Sequence, residues 1–185
     1  ASSTYPPENT KGMEKEGLNK VWEFINAGGR LLSWGHSVDL FEGSQVIKAE
    51  DEVKERFSLP FNNVSDQLKK DPGVYVPGAY LRMTLKADHP LTYGCRTETG
   101  VFYKARGIFS TQIPHFDMDR RVIGRLAADD VLVSGYAEQV EALEKQPVMV
   151  WLQKGKGDLV LYGFNPQFRA STDGNFKLLF NARLP

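Results

Sequence analysis

The chain has 185 residues, which is enough to bury a real core, and one domain spanning residues 1–185 is predicted. Its 23 basic and 23 acidic residues balance, which argues against a nucleic-acid or anionic-membrane partner. The single cysteine, Cys95, excludes an internal disulfide and a multi-cysteine metal site. No apolar run approaches the roughly 20 residues of a membrane span, so no membrane insertion is expected.

The first part of the chain predicts a loop, a helix and a strand. Residues 1–14 contain two adjacent prolines, which block helix and ladder alike, and are predicted as an N-terminal loop. Apolar residues recur at three- and four-residue spacing from Glu14 to Ala27, which predicts an amphipathic helix. This helix should end at Gly28 and Gly29, and a buried strand, Arg30–Trp34, should follow.

A sharp turn with a hydroxyl at its tip follows that strand. It reads Gly35-His36-Ser37 and leads into a new apolar stretch that begins at Val38. A strand, a Gly-x-nucleophile turn and then a helical run form the layout of a nucleophile elbow. The sequence therefore raises the question of whether Ser37 can act as a nucleophile.

The middle of the chain predicts a β-rich insertion built of short elements. Ile47–Phe57 is charged and is interpreted as helical, and Leu59–Val64 is interpreted as a loop. Ala79–Lys86 alternates as a strand does. The remaining short runs predict a strand pair at 101–103 and 108–109, two further apolar runs at 122–127 and 131–136, and a brief helix at 138–144.

The last third of the chain has the clearest pattern. Pro147–Gln153 and Leu159–Phe164 are apolar runs separated by a glycine-containing turn, which predicts a β-hairpin. The segment Asn165–Arg169 leaves the end of the second strand. Asn175–Arg183 is predicted as a closing helix.

These segments, in this order and spacing, resemble a class I glutamine amidotransferase-like domain. The closer resemblance is to the domain of this kind that follows the catalytic domain in some bacterial zinc carboxypeptidase-like proteins. It implies an α/β fold: a partial flavodoxin/Rossmann-like three-layer sheet with a β-rich insertion and a late hairpin, whose N-terminal strands are missing. The segments that carry it are residues 17–31, 77–82 with 88–94, 155–169 and 176–181.

The resemblance also implies a catalytic triad, and this sequence departs from it at every position. Working members have a Gly-x-Cys-x-Gly elbow, whereas here Ser37 occupies the nucleophile position and Asp39 replaces the second glycine. The base and its orienting carboxylate come from a His-Pro-Glu turn, which here carries Asn165 and Gln167. An amide cannot accept a proton at neutral pH. The expectation is a degenerate triad with no catalytic residue.

Two alternatives to this non-catalytic interpretation stay open. One is a cryptic serine hydrolase, in which His36, His89 or His115 would serve as the base for Ser37. The other is a ligand-binding module in the former substrate cleft, because clefts at the carboxyl ends of α/β strands commonly hold ligands. Its polar contacts would be Gly35, His36, Ser37, Asn165 and Arg169.

No metal site and no cofactor are predicted. A catalytic zinc needs three protein ligands, and no His-x-x-Glu pair occurs; His36 with Asp39 lacks a third ligand. The resemblance implies an accessory role beside an upstream peptidase-like domain of the same polypeptide, in a metallocarboxypeptidase-like hydrolase. It also suggests an exported bacterial protein, periplasmic or extracellular. Missing strands would leave a sheet edge open, which makes a homo-oligomer a further expectation.

Overall fold

The computed structural model describes residue 6 and residues 12–49, 52–104, 106–170 and 172–183. Most of the predicted loop at residues 1–14 lies outside these residues. The helices are α1 (Glu14–Asn26), α2 (Ser65–Lys70) and α3 (Phe176–Asn181). The strands are β1 (Arg30–Trp34), β2 (Ser44–Ala49), β3 (Glu52–Ser58), β4 (Phe61–Asn63), β5 (Tyr75–Leu85), β6 (Glu98–Tyr103), β7 (Phe109–Thr111), β8 (Met118–Leu126), β9 (Leu132–Glu138), β10 (Pro147–Lys154) and β11 (Gly157–Tyr162).

The centre of the fold is a mixed seven-stranded sheet in the order β1-β11-β10-β8-β5-β6, with β9 paired to β5. Among the described strands, parallel pairing is confined to β1 and β11, whose register runs from Arg30 opposite Asp158 to Trp34 opposite Tyr162. The long strand β5 pairs with β8 near its end and with β9 near its start. The predicted α/β class, the β-rich middle and the late hairpin are confirmed.

Both faces of the central strands β10 and β11 are buried, because successive side chains of a strand point to opposite faces. One face packs against α1 and the β2–β3 hairpin, and the other against α3 and the inner face of β5 and β6. The first layer includes Val150, Leu152, Leu159 and Leu161, and the second includes Val148, Val160, Tyr162 and Leu178. This double coverage explains why the two strands read as continuous apolar runs.

Trp22 holds α1 to the β2–β3 hairpin. Its side chain is fully buried, and the indole Nε1 donates a hydrogen bond of 3.1 Å to Gln45 Oε1. The ring also meets Phe41 and Phe57 edge-on, with centroids 5.7 and 4.9 Å away. Replacing a buried tryptophan by alanine costs about 3–5 kcal/mol in typical cores, so this residue fixes the position of the helix.

The interpretation of Ile47–Phe57 as helical is wrong. Residues 44–49 and 52–58 form the antiparallel strands β2 and β3. The physical reason is that β3 is half-exposed and carries its charged residues toward water, so a charged run there marks an exposed hairpin. The predicted loop Leu59–Val64 contains the short strand β4.

The predicted pairing of residues 101–103 with 108–109 is also wrong, although both segments contain strands. β6 pairs with β5, and β7 pairs with β4, because the segment between them crosses to the other side of the sheet. The brief helix predicted at 138–144 contains a 3₁₀ turn, Val140–Leu143. The predicted helix from Glu14, the strand Arg30–Trp34, the late hairpin and the closing helix are confirmed.

None of the described helices has both the length and the apolar character that a membrane crossing requires.

Candidate functional site

The turn after β1 has the backbone of an elbow, but its strained residue is Gly35. The φ angle of Gly35 is 62°, a left-handed conformation that favours glycine, and a 3₁₀ helix, Gly35–Phe41, begins there. Ser37 lies within that helix and does not adopt a positive φ angle. In a nucleophile elbow the nucleophile occupies the strained strand-to-helix turn. Here that position carries no side chain.

The hydroxyl of Ser37 is occupied by its own turn. Ser37 Oγ donates to the Trp34 carbonyl oxygen at 2.8 Å and accepts from the Trp34 backbone N–H at 3.2 Å. It also lies 2.7 Å from the Oγ of Ser33. A hydroxyl has one proton and two lone pairs, so these three contacts use its full hydrogen-bonding capacity. Ser37 therefore acts as a helix cap.

His89 and Ser37 lie at opposite ends of the parallel strands β1 and β11. Its ring centroid is 5.9 Å from that of Trp151, whose indole donates at 3.0 Å to Asp158 at the start of β11. Ser37, in contrast, follows the last residue of β1. The two ends of the five-residue strand β1 are about 13 Å apart, because a strand rises about 3.3 Å per residue.

The other two histidines also form no side-chain hydrogen bond with Ser37 within the described residues. The carbonyl oxygen of His115 accepts from Met118 N at 3.0 Å, and Met118 pairs with Lys154 at the hairpin turn before β11. His115 therefore also lies near the start of β1 and β11, at the end opposite to Ser37. His36 is exposed beside Ser37, and no hydrogen bond joins the two side chains among the residues that the structure describes.

The turn Asn165–Arg169 and the elbow follow the carboxyl ends of β11 and β1, which lie side by side because the two strands are parallel. Its contacts, however, are with β6. Asn165 N donates to the Phe102 carbonyl oxygen at 3.3 Å, and Phe168 stacks on Phe102 with centroids 3.8 Å apart. Asn165 Oδ1 accepts from Gln167 N at 3.2 Å. In the described part of the chain, no hydrogen bond connects this turn to His36 or Ser37.

Arg169 has two unusual features. Its φ angle is 48°, and that of the next residue, Ala170, is 56°; such values are uncommon for residues other than glycine. The guanidinium carbon lies 5.5 Å from the centroid of the Phe168 ring. The arginine therefore covers the aromatic stack of Phe102 and Phe168.

The segment that carries Arg106 and Gly107 connects the 3₁₀ helix Gly35–Phe41, here called the elbow helix, to the end of β11. Arg106 forms an ion pair of 3.2 Å with Asp39, whose other carboxylate oxygen accepts from Asn63 Nδ2 at 3.0 Å. The next residue, Gly107, lies directly against Gly163, which follows β11. Of the residues predicted to line a cleft here, the structure brings Gly35, His36 and Ser37 together as neighbours. It places Asn165 and Arg169 beside β6.

A second location, which the sequence analysis missed, is the loop between β5 and β6. It borders an open cavity of about 530 Å³ whose lining includes Lys86, His89, Cys95 and Arg96. Cys95 is half-buried, and burial raises the pKa of its thiol. The signal in the sequence was the pair of basic residues that flank this histidine-proline loop. No group of three or more His, Cys, Asp and Glu side chains is arranged for a metal ion within the described residues.

Neither protein-family models nor curated proteins match this sequence. Solved structures with a similar arrangement include a GMP synthase-like protein from Thermoplasma acidophilum, with 10% identity and a TM-score of 0.46 over 91% of this chain and 61% of that chain. A ThuA-like protein from Bacteroides uniformis has 12% identity and a TM-score of 0.43 over 94% and 63%.

A beta-galactosidase from Bacillus circulans has 14% identity and a TM-score of 0.45, over 91% of this chain and 20% of that chain. The chain thus spans about three fifths of the first two proteins and one fifth of the third. The similarity to these proteins concerns the arrangement of the backbone alone.

Proposed function

We propose that this chain is a non-catalytic, degenerate glutamine amidotransferase-like domain that serves as an accessory or interaction domain. The observation that carries the proposal is the hydroxyl of Ser37, which is hydrogen-bonded to Ser33 and Trp34 and forms no hydrogen bond with a histidine among the described residues. Acyl transfer through a serine requires a base that removes the hydroxyl proton. Asn165 and Gln167, at the positions where working members carry the base and its partner, are amides.

The wider proposal concerns the polypeptide to which such a domain belongs. The sequence resemblance favours a zinc carboxypeptidase-like protein, in which a peptidase-like domain precedes this one. Support for a contact role comes from the surface, because Tyr75 and Tyr136 are more than half exposed and their rings pack edge-on, 6.5 Å apart, on neighbouring strands. Tyrosine is enriched among the residues that dominate binding at protein interfaces.

Hydrolysis assays test the non-catalytic part of the proposal. The purified protein is incubated with glutamine and with a p-nitrophenyl ester, and compared with the Ser37→Ala variant at equal concentration. We expect the two proteins to give the same background rate. A rate for the unmodified protein more than about tenfold above that of Ser37→Ala would overturn the proposal, because only a working nucleophile produces such a difference.

A ligand-binding module is the second candidate, and the strained backbone at Arg169 favours it. Residues held at a positive φ angle cluster at ligand clamps and active sites. A ligand there would contact Arg169 and Asn165, which lie beside β6. A thermal-shift screen with peptides and sugars, repeated on Arg169→Gln, tests this candidate. Stabilisation that is lost in the variant would support it, and no stabilisation would count against it.

A further inference from the structure

The cavity in the β5–β6 loop is lined by two basic side chains that have no partner within the described part of the chain. The side chains of Lys86 and Arg96 form no hydrogen bond or ion pair with any other residue that the structure describes. Both residues are exposed to solvent. Four arginines elsewhere in the described residues differ from Arg96 in having a carboxylate beside them: Arg30 with Asp158, Arg82 with Asp130, Arg106 with Asp39 and Arg121 with Asp119. Asp88 is the acidic residue in the cavity lining.

The loop that carries these two cations is held by hydrogen bonds of buried groups. Thr92 Oγ1 donates to the Lys86 carbonyl oxygen at 2.6 Å. Asn181 Nδ2, from α3, donates to the carbonyl oxygens of Leu91 and Tyr93 at 3.1 and 2.9 Å. A loop fixed in this way loses little conformational freedom when a ligand binds. The cavity is therefore formed before any ligand arrives.

His89 reports on the electrostatic potential inside the loop. Its Nδ1 accepts from Leu91 N at 3.2 Å, so the neutral ring carries its proton on Nε2. Burial lowers the pKa of His89, and the nearby cations Lys86, Arg121 and Arg30 lower it further, against an opposing effect of Asp158. The surroundings are thus electropositive, although the whole chain has no net charge.

We propose that this cavity binds a small anion through a carboxylate or phosphate group, with Lys86 and Arg96 as its direct contacts. Arginine matches the geometry of both groups, and lysine contributes a compact charge. Arg96 also lines two adjoining cavities, of about 680 and 1010 Å³, which leave room for the rest of a larger ligand. The site lies at the other end of β1 and β11 from Ser37, and it does not depend on the proposed function.

Histidine NMR provides a direct test, because the three histidines occupy different places and two of them serve as internal controls. The protein is titrated from pH 5 to 8 with inorganic phosphate, with succinate, or with chloride alone, all at the same ionic strength. We expect phosphate or succinate to raise the pKa of His89 by about half a unit or more, since a nearby anion favours imidazolium. His36 and His115 should not respond.

Two variants and a matched control complete the test. Lys86→Gln and Arg96→Gln should each weaken the response of His89 at least about tenfold in anion concentration, as expected for loss of a charge-assisted hydrogen bond. Lys54→Gln removes an exposed cation from β3 and should leave the response unchanged. The proposal is overturned if neither anion moves His89, if all three histidines shift alike, or if both cavity variants bind as the unmodified protein does.

Discussion

Gly107 and Gly163 lie so close together that a methyl group on either residue would overlap the backbone of the other. The φ angle of Gly107 is 84°, and Gly163 N donates to the Val148 carbonyl oxygen at 2.7 Å. The segment that carries Gly107 is also tied to the elbow helix through Arg106 and Asp39. This contact places the segment with Arg106 and Gly107 at the carboxyl ends of β1 and β11, where a substrate of Ser37 would have to bind.

Gly163→Ala should therefore destabilise the fold. Overpacking a tight site commonly costs about 1–3 kcal/mol, and a backbone contact on each side leaves no flexible side chain to yield. Urea denaturation measures the change. Gly100→Ala is the matched control, because a methyl group at Gly100 meets nothing within 4 Å. Equal stabilities for the two variants would show that the close approach is not a constraint.

The ion pairs of Lys154 predict a pH dependence of stability. Lys154 is only 4% exposed and pairs with Glu55 at 2.7 Å and with Asp117. The hydrogen bond from Lys154 holds the pKa of Asp117 below its ordinary value of 3.8. A carboxyl group with a lowered pKa stabilises the fold above its unfolded-state pKa, and this contribution is lost as the pH falls through the folded-state pKa.

Asp117→Asn should consequently lose less stability than the unmodified protein between pH 5 and pH 2, while being less stable by about 1 kcal/mol at neutral pH. Thermal melts at a series of pH values measure both effects. Asp129→Asn, which removes an exposed carboxylate, should follow the unmodified protein. A pH profile for Asp117→Asn that coincides with the profile of Asp129→Asn would contradict the prediction.

Asn181 is predicted to control the β5–β6 loop. Asn181→Ala leaves the carbonyl oxygens of Leu91 and Tyr93 without their donor, which costs about 1–3 kcal/mol where such groups stay buried. The loop should open more often and expose Cys95. Alkylation with iodoacetamide should be slow in the unmodified protein, because burial raises the pKa of the thiol.

In Asn181→Ala the alkylation rate should rise about tenfold or more, which corresponds to at least about 1.4 kcal/mol of lost protection. Asn26→Ala, a substitution in α1, should leave the rate unchanged. A rate in Asn181→Ala equal to that of the unmodified protein would mean that the two hydrogen bonds do not hold the loop.

The two edges of the main sheet differ, and the difference predicts self-association through β1. At the β6 edge, Asn175 Nδ2 donates to the Gly100 carbonyl oxygen at 3.0 Å, and Asn165 N donates to that of Phe102 at 3.3 Å. Strand β1 has no second strand beside it among the described residues. An unpaired edge of apolar residues tends to pair with another chain.

Light scattering at rising protein concentration should therefore give a mass above that of a monomer. Leu31→Lys should shift the mass toward the monomer, because a charge on an edge strand opposes pairing. Circular dichroism checks that the variant is folded. A monomeric mass for the unmodified protein at high concentration would count against an open edge at β1.

Local sequence patterns predicted the elements that are long or bounded by glycine residues. The strand Arg30–Trp34 and the hairpin of β10 and β11 follow from apolar runs bounded by glycines. The β2–β3 hairpin was missed because its charges face water on a half-exposed pair of strands. The wrong pairing of β6 with β7 concerns contacts between distant segments, which no local period encodes.

The candidate site shows the same division. The spacing of Gly35 and Ser37 after a strand was sufficient to predict an elbow-like turn. The positions of His89 and His115 depend on the register of the whole sheet, and the approach of Gly107 to Gly163 depends on two segments far apart in the chain. Neither the surroundings of the Ser37 hydroxyl nor the cavity with Lys86 and Arg96 could be predicted from sequence spacing.

Labelling with a fluorophosphonate probe tests the non-catalytic interpretation most directly. The protein and its Ser37→Ala variant are incubated with the probe, and the intact mass of each is measured. A hydroxyl that is hydrogen-bonded to Ser33 and Trp34 and not to a base should not react, so we predict that neither protein gains the mass of the probe. Labelling of the unmodified protein that is absent from Ser37→Ala would show a working nucleophile and contradict the non-catalytic interpretation.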